Sequence, residues 1–211
     1  MSSKNNYNKI AFGYDRLSRL VFGSHQMRSQ ICLLPFIALG DKILIAGGGT
    51  GWILEEISRI YPSGLHIVYV EVSENMINLA KAKNAGDNKV EFLNIYIEQY
   101  RSAVSFDIII TAFLFDNFTE KTAAEIFYRL HALLNKNGKW LFTDFQINAK
   151  SNFRQKLLLK MMYWFFICIA SVETKHLINM EPFFLSNGYK ESFVAYHYNR
   201  FIRSSCWVKA V

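Results

Sequence analysis

Residues 42–52 read Lys-Ile-Leu-Ile-Ala-Gly-Gly-Gly-Thr-Gly-Trp, and their reading decides the fold. The apolar run KILIA suits a buried parallel strand, which is covered on both faces. Apolar residues at Ile53, Leu54, Ile57 and Ile60 then give residues 50–60 one helical face. Strand, glycine turn and helix together present backbone N–H groups at a helix N-terminus. Glycine lets the chain turn sharply and lets a ligand approach with no Cβ in the way. The spacing is Gly47-x-Gly49-x-Gly51. A dinucleotide fingerprint needs glycine at position 52, where Trp52 stands, and no Gly-Lys-Ser/Thr follows to make a phosphate loop.

Working outward, strand-like and helix-like segments alternate. Residues 65–70 (LHIVYV) read as a second strand ending at Glu71, and Ser73 caps a helix to residue 83 that packs Met76, Ile77, Leu79 and Ala80. Residues 90–95, 106–112 and 139–145 read as strands three to five, with an amphipathic helix over 119–134 closed by Asn137-Gly138. This rhythm predicts a parallel sheet with right-handed crossovers. Residues 189–198 and 201–208 around Asn199-Arg200 predict an antiparallel hairpin. The expected architecture is α/β: a Rossmann-like, seven-stranded, mostly parallel sheet ending in an antiparallel hairpin. N-terminal helices precede it, and a helical insertion follows strand five. Residues 1–211 are expected to form one domain, with 1–40 as a helical cap and 150–188 as a helical lid.

Before the first strand, Tyr7, Ile10, Phe12, Tyr14, Leu17 and Leu20 recur at mostly helical spacings, and 26–39 reads as a second helical stretch ended or kinked by Pro35. Beyond the fifth, residues 152–170 read as a long apolar helix and 173–186 as another, closed by Asn187-Gly188.

The chain is 211 residues long and 51% hydrophobic, enough to bury one full core. The polar start MSSKNNYNKIAF has no apolar signal region, and the run 157–170 is broken by Lys160 and too short to span a bilayer. A cytoplasmic protein without a transmembrane segment is therefore expected. Cys32, Cys168 and Cys206 are scattered among apolar residues and make neither a disulfide framework nor a metal site. The net charge of +7 is uneven: residues 1–149 carry 15 Lys+Arg against 14 Asp+Glu, residues 150–211 carry 9 against 3. Such a basic third suits an anionic substrate, a membrane surface, nucleic acid, or simply a solvated face.

Glu71 stands twenty residues after Gly51, where a carboxylate can accept hydrogen bonds from both ribose hydroxyls of an adenosine ligand. With that residue the chain resembles the class I S-adenosylmethionine (SAM) dependent methyltransferases. The likeness is to the small-molecule branch that includes the ubiquinone/menaquinone C-methyltransferases, and it runs from about Tyr14 to the end. It is carried by Tyr14-Asp15-Arg16, AGGGTG, VEVSENMINLAK, FDIIITAFLFDNF and NKNGKWLFTDF. The resemblance implies SAM as cofactor. Tyr14 would close over its methionine end, with Gly47, Gly48, Gly49 and Gly51 in the turn beneath it. Glu71 would hold the ribose, Val72 and Met76 would flank the adenine, and Asn94 and Ile97 would complete that side. Ala112 and Phe113 would lie near the sulfonium. Two positions differ: Ile45 and Tyr96 stand where the family usually carries acids.

Such a site must align an acceptor with the methyl group and exclude water. Candidate bases are Asp116, just past strand four, His176 in the lid, and His197, with His25 further back. Asp116 equally suits a helix or turn cap, and His131, within a helix, is read as scaffold. The segment LLLKMMYWFFICIA (157–170) either packs on the sheet or walls a pocket for a lipophilic or aromatic acceptor. Its basic neighbours Lys150, Arg154 and Lys156 also suit shallow membrane contact. The expected function is thus O- or C-methylation of a small apolar or aromatic molecule, and nucleic acid is not the expected partner. Two alternatives stay open: a nucleic-acid methyltransferase, although no Asn/Asp-Pro-Pro-Tyr element is present, and a non-catalytic SAM-binding or partner protein. Neither the oligomeric state nor a metal is indicated.

Overall fold

The computed structural model describes residues 22–146 and 177–210. The helix expected before residue 21, the apolar segment 157–170 and most of the expected lid lie outside the described residues. Seven strands form one sheet: β1 (Lys42–Ala46), β2 (Ser63–Val70), β3 (Asp87–Leu93), β4 (Phe106–Ala112), β5 (Leu134–Phe145), β6 (Tyr189–His197) and β7 (Ile202–Lys209). Their order is β3-β2-β1-β4-β5-β7-β6. β1 to β5 run parallel, and β7 pairs antiparallel with both β5 and β6. The expected sheet, with its terminal hairpin, is the observed one.

Strand order reverses between β1 and β4, whose carboxyl ends therefore leave a crevice with no crossover above it. Helices cover both faces, which explains why KILIA and FDIIITA are apolar at nearly every position. On one face Leu44, Val70, Ile109, Trp140 and Trp207 meet α4 (Glu120–Leu133) and α5 (Glu181–Ser186). On the other, Ile43, Ile45, Tyr69 and Ile110 meet α2 (Trp52–Ile60), α3 (Glu74–Lys81) and the chain that follows α1 (His25–Ile31). Side-chain caps start two of these helices: Ser73 Oγ accepts the Met76 N–H, and Thr119 Oγ1 accepts that of Thr122.

Three expected boundaries are corrected. β3 starts at Asp87, because Asn88 is tied into the sheet: its Oδ1 accepts the Leu65 N–H at 2.9 Å. The strand after α4 begins at Leu134, which pairs with Phe106. The register then jumps to Lys139 opposite Ile108, and the intervening residues bulge out where Asn137 turns left-handed. Residues 177–180 are not helical; α5 begins only at Glu181, where Pro182 fits the first turn and Asn179 Oδ1 accepts the Glu181 N–H.

Candidate active site

The glycine turn folds under the end of β2, where Val70 O accepts N–H bonds from Gly47 (2.9 Å) and Gly48 (3.3 Å). Its glycines do different work. A Cβ on Gly48 would land 2.1 Å from the Tyr69 ring, so that position is fixed by packing. Gly51, at φ +82°, would put a Cβ 2.5 Å from the Ala80 Cα of α3. Gly49, at φ +66°, would meet nothing within 4 Å. Its exposed face is where the backbone is open to a ligand.

Glu71 leaves the end of β2 and turns back under the loop. Its carboxylate accepts the Gly49 N–H at 2.9 Å and the Ser73 N–H at 2.8 Å. Burial pushes this carboxyl above the usual carboxylate range, against the N–H groups of Ser73, Gly49 and Val72, which favour the charge. Asn94 donates through Nδ2 to the backbone oxygens of Glu71 and Val72, both at 2.9 Å, and so fixes the link after β2. Met76 is buried under that link on α3, and Ile97 is buried in the turn after β3.

A solvent-open cleft lies at the β1/β4 crevice. It is lined by Ile45 and Ala46 of β1, Gly47–Thr50, Ile110 and Ala112 of β4, Phe113 and the start of α2. Gln26, Met27 and Gln30 of α1 form the opposite wall. The open face of Gly49 and the buried carboxylate beside it fit the adenosyl ligand that the sequence implies. Ile45 is part of the cleft floor and of the core, so an apolar side chain occupies the position where the family usually places an acid.

The chain after β4 is held in a tight turn. Phe113 adopts φ +54° and donates its N–H to Thr143 O at 2.8 Å. Asn117 Nδ2 reaches Phe113 O at 2.9 Å and Asp116 Oδ1 at 2.7 Å. Next to this turn lies the buried Asp144 at the end of β5, which accepts the Phe145 N–H at 2.8 Å and those of Phe115 and Asp116. Burial pushes the Asp144 carboxyl up to about 7 against those N–H groups. Burial, and then the Asp144 charge, pushes that of Asp116 well above its usual value. Sequence reasoning missed Asp144, because only the pairing of β4 with β5 brings it to Asp116. It also missed the wall from α1, although Gln26 and Gln30 sit four apart on one helix.

The remaining described candidates do not line the cleft. His197 Nε2 is 3.6 Å from Cys32 Sγ at the carboxyl end of β6, and His25, next to Gln26 on α1, stacks edge-on against Tyr198. His131 Nδ1 bonds the Tyr189 hydroxyl at 3.0 Å, within the scaffold. Tyr14 and His176 lie outside the described residues. Among the described residues there is no group of three or more His, Cys, Asp or Glu able to hold a metal, and no helix is long and apolar enough to cross a membrane.

Residues 43–138 match the methyltransferase domain family. The chain is 27% identical over 152 residues to the ubiquinone/menaquinone biosynthesis C-methyltransferase UbiE of Blochmanniella pennsylvanica, covering 68% of this chain and 58% of that protein. It is 29% identical over 140 residues to the malonyl-(acyl-carrier protein) O-methyltransferase of Bacillus cereus, covering 66% and 51%. The match thus spans a little over half the length of these curated relatives. Among solved structures, the magnesium protoporphyrin IX methyltransferase of Synechocystis PCC 6803 with bound S-adenosylhomocysteine (SAH) superposes with a TM-score of 0.69. It is 17% identical, over 96% of each chain, and it shares the fold.

Proposed function

We propose, from the premise that residues 43–138 are a methyltransferase domain of the class I, SAM-dependent kind, that the chain methylates a small apolar or aromatic acceptor. The observation that carries this reading is the pairing of the open Gly49 face with the buried Glu71 carboxylate. The Glu71 oxygens accept the Gly49 and Ser73 N–H groups, with that of Val72 beside them, and a ribose hydroxyl would add a further donor. Hydroxyl donors there would stabilise the charged form that burial disfavours. Gly47 and Gly49 would lie along the methionine part, with Gln26 and Gln30 facing it across the cleft. Val72 and Met76 would flank the adenine, beside Asn94 and Ile97.

SAM, when bound, supplies a methyl group already activated on sulfur. What falls to this chain is to hold the reactants in line and to keep water out. Phe113 lines the cleft and its ring lies 4.6 Å from that of Phe145, an aromatic wall beside the acceptor side. That wall supports a flat or apolar acceptor. The names of the two curated relatives, one quinone-directed and one acting on a malonyl carrier, support a small organic group.

The test is transfer of radiolabelled methyl from SAM to a panel of phenols, enolisable carbonyl compounds, carboxylates and bulk tRNA and DNA. Label in any small molecule supports the reading. Label only in nucleic acid, or SAH binding with no labelled product across the panel, would replace it with one of the two alternatives.

A further inference from the structure

We infer that Gln30 of α1 is the specificity-determining residue for the amino-acid end of the cofactor, its carboxamide Oε1 accepting a hydrogen bond from the ammonium group there. This rests on the methyltransferase reading of the cleft, which it deepens by assigning the charged end of the ligand to an uncharged side chain.

The direction of the ligand follows from its middle. A ribose held at Glu71 would stand beside Gly49, where β2 ends. Adenine on the Val72 and Met76 side leaves the rest of the ligand to run the other way, past Gly47 and over the ends of β1 and β4. In that direction the cleft is walled by α1. SAM and SAH both carry an ammonium and a carboxylate on this part. An ammonium has three donors and no acceptor, so it needs oxygen partners when it leaves water.

The cleft offers few. Among the described residues, no Asp, Glu, Lys, Arg or His lines it. Ile45, Ala46, Ile110 and Ala112 are apolar, and side-chain oxygens come only from Gln26, Gln30 and Thr50 of this lining. Gln26 and Thr50 are buried and already engaged by other groups. Gln30 is half-buried, and its Nε2 donates to Gln26 O at 3.4 Å. A carbonyl can only accept, so this bond turns the NH2 of the carboxamide toward the helix backbone. It leaves Oε1 with no partner among the described residues.

The helix that carries Gln30 is fastened to the sheet. The backbone oxygen of the buried Ser29 accepts Thr143 Oγ1 of β5 at 3.3 Å and Ser204 Oγ of β7 at 2.6 Å. Just beyond the helix, Ile37 O accepts the Tyr61 hydroxyl at 2.6 Å. Little ordering of this wall remains to be done when a ligand arrives, which favours affinity. A neutral oxygen there answers the ammonium and not the carboxylate. A ligand with the same adenosyl thioether but no ammonium should therefore not sense Gln30.

The experiment is isothermal titration of the full chain, wild type, Gln30→Ala and Gln30→Glu, with three ligands. These are SAH, deaminated SAH in which hydrogen replaces the ammonium, and methylthioadenosine, which lacks the whole amino-acid part. Gln30→Ala should bind SAH about tenfold more weakly, the scale of a hydrogen bond to a charged group. Its affinity for the other two ligands should match wild type. Gln30→Glu keeps an oxygen acceptor at the same reach and should hold SAH at least as tightly as wild type. Unchanged SAH affinity in Gln30→Ala would overturn the inference, as would a parallel loss of all three ligands, which a structural role would give. Loss of deaminated SAH together with SAH would overturn it too, by assigning Gln30 to the carboxylate. Wild-type binding of methylthioadenosine with no gain for SAH would remove the inference and leave the adenosyl reading standing. Binding of none of the three would remove both.

Discussion

Gly49 and Gly51 share a left-handed backbone but answer to different constraints, and substituting each by alanine separates them. At Gly51 the new methyl would strike the backbone of α3 at 2.5 Å. The left-handed penalty of about 1–2 kcal/mol then adds to an overpacking cost of about 1–3 kcal/mol. At Gly49 only the first cost applies, since the methyl enters open space. Gly49→Ala should therefore fold with a modest loss in urea midpoint and bind SAH more weakly, whereas Gly51→Ala should lose far more stability. The reverse ranking in urea unfolding would contradict the assignment of roles. The sequence shows that glycines recur at 47, 49 and 51, but not which one faces a ligand, since that depends on Tyr69 and Ala80 arriving from elsewhere in the chain. Ile45 is a similar case. Its departure from the family pattern is visible in one line of sequence, while its place in the cleft floor is visible only once α1 and β4 are in position.

Between elements, the junction of β4 and β5 holds a buried carboxyl pushed far from its ordinary range. Folded Asp144 keeps its proton up to about 7, against 3.8 for an ordinary aspartate. Between those values the folded state binds more protons than the unfolded state, so this carboxyl makes stability fall as pH rises, by at most about 1.4 kcal/mol per pH unit for one proton. Asp144→Asn removes the titrating carboxyl, which should flatten the decline between pH 4 and 7 in urea unfolding. An unchanged slope would mean that Asp144 does not titrate in that window. Strands and helices with strong periodicity, such as KILIA, FDIIITA and the helix begun by Thr119, were legible from composition alone. The start of β3 at Asp87 was not, because a polar segment becomes a strand there through the side-chain bonds of Asn88. Nor was the bulge at Asn137, which looks like a plain turn until the register of β4 against β5 is known.

Over the whole molecule, the order β3-β2-β1-β4-β5-β7-β6 brings the glycine turn and the end of β4 to one crevice. Gly49 and Glu71 lie on the β1/β2 side, and Phe113, Asp116 and Asp144 lie on the β4/β5 side. The alternation of strands and helices made this architecture legible, and the glycine turn with the acid after β2 made the family resemblance legible. The turn after β4 was only half visible, because Asp116 is read directly past a strand while Asp144, which packs beside that turn, lies 28 positions further on. The central claim is that the cleft holds an adenosyl ligand through Glu71, and isothermal titration of the full chain with SAH tests it most directly. The wild-type chain should bind, and Glu71→Ala should weaken binding by about 1–3 kcal/mol, the scale of an unmade hydrogen bond to a charged group. No binding at millimolar SAH, or equal affinity in the Glu71→Ala chain, would contradict the account.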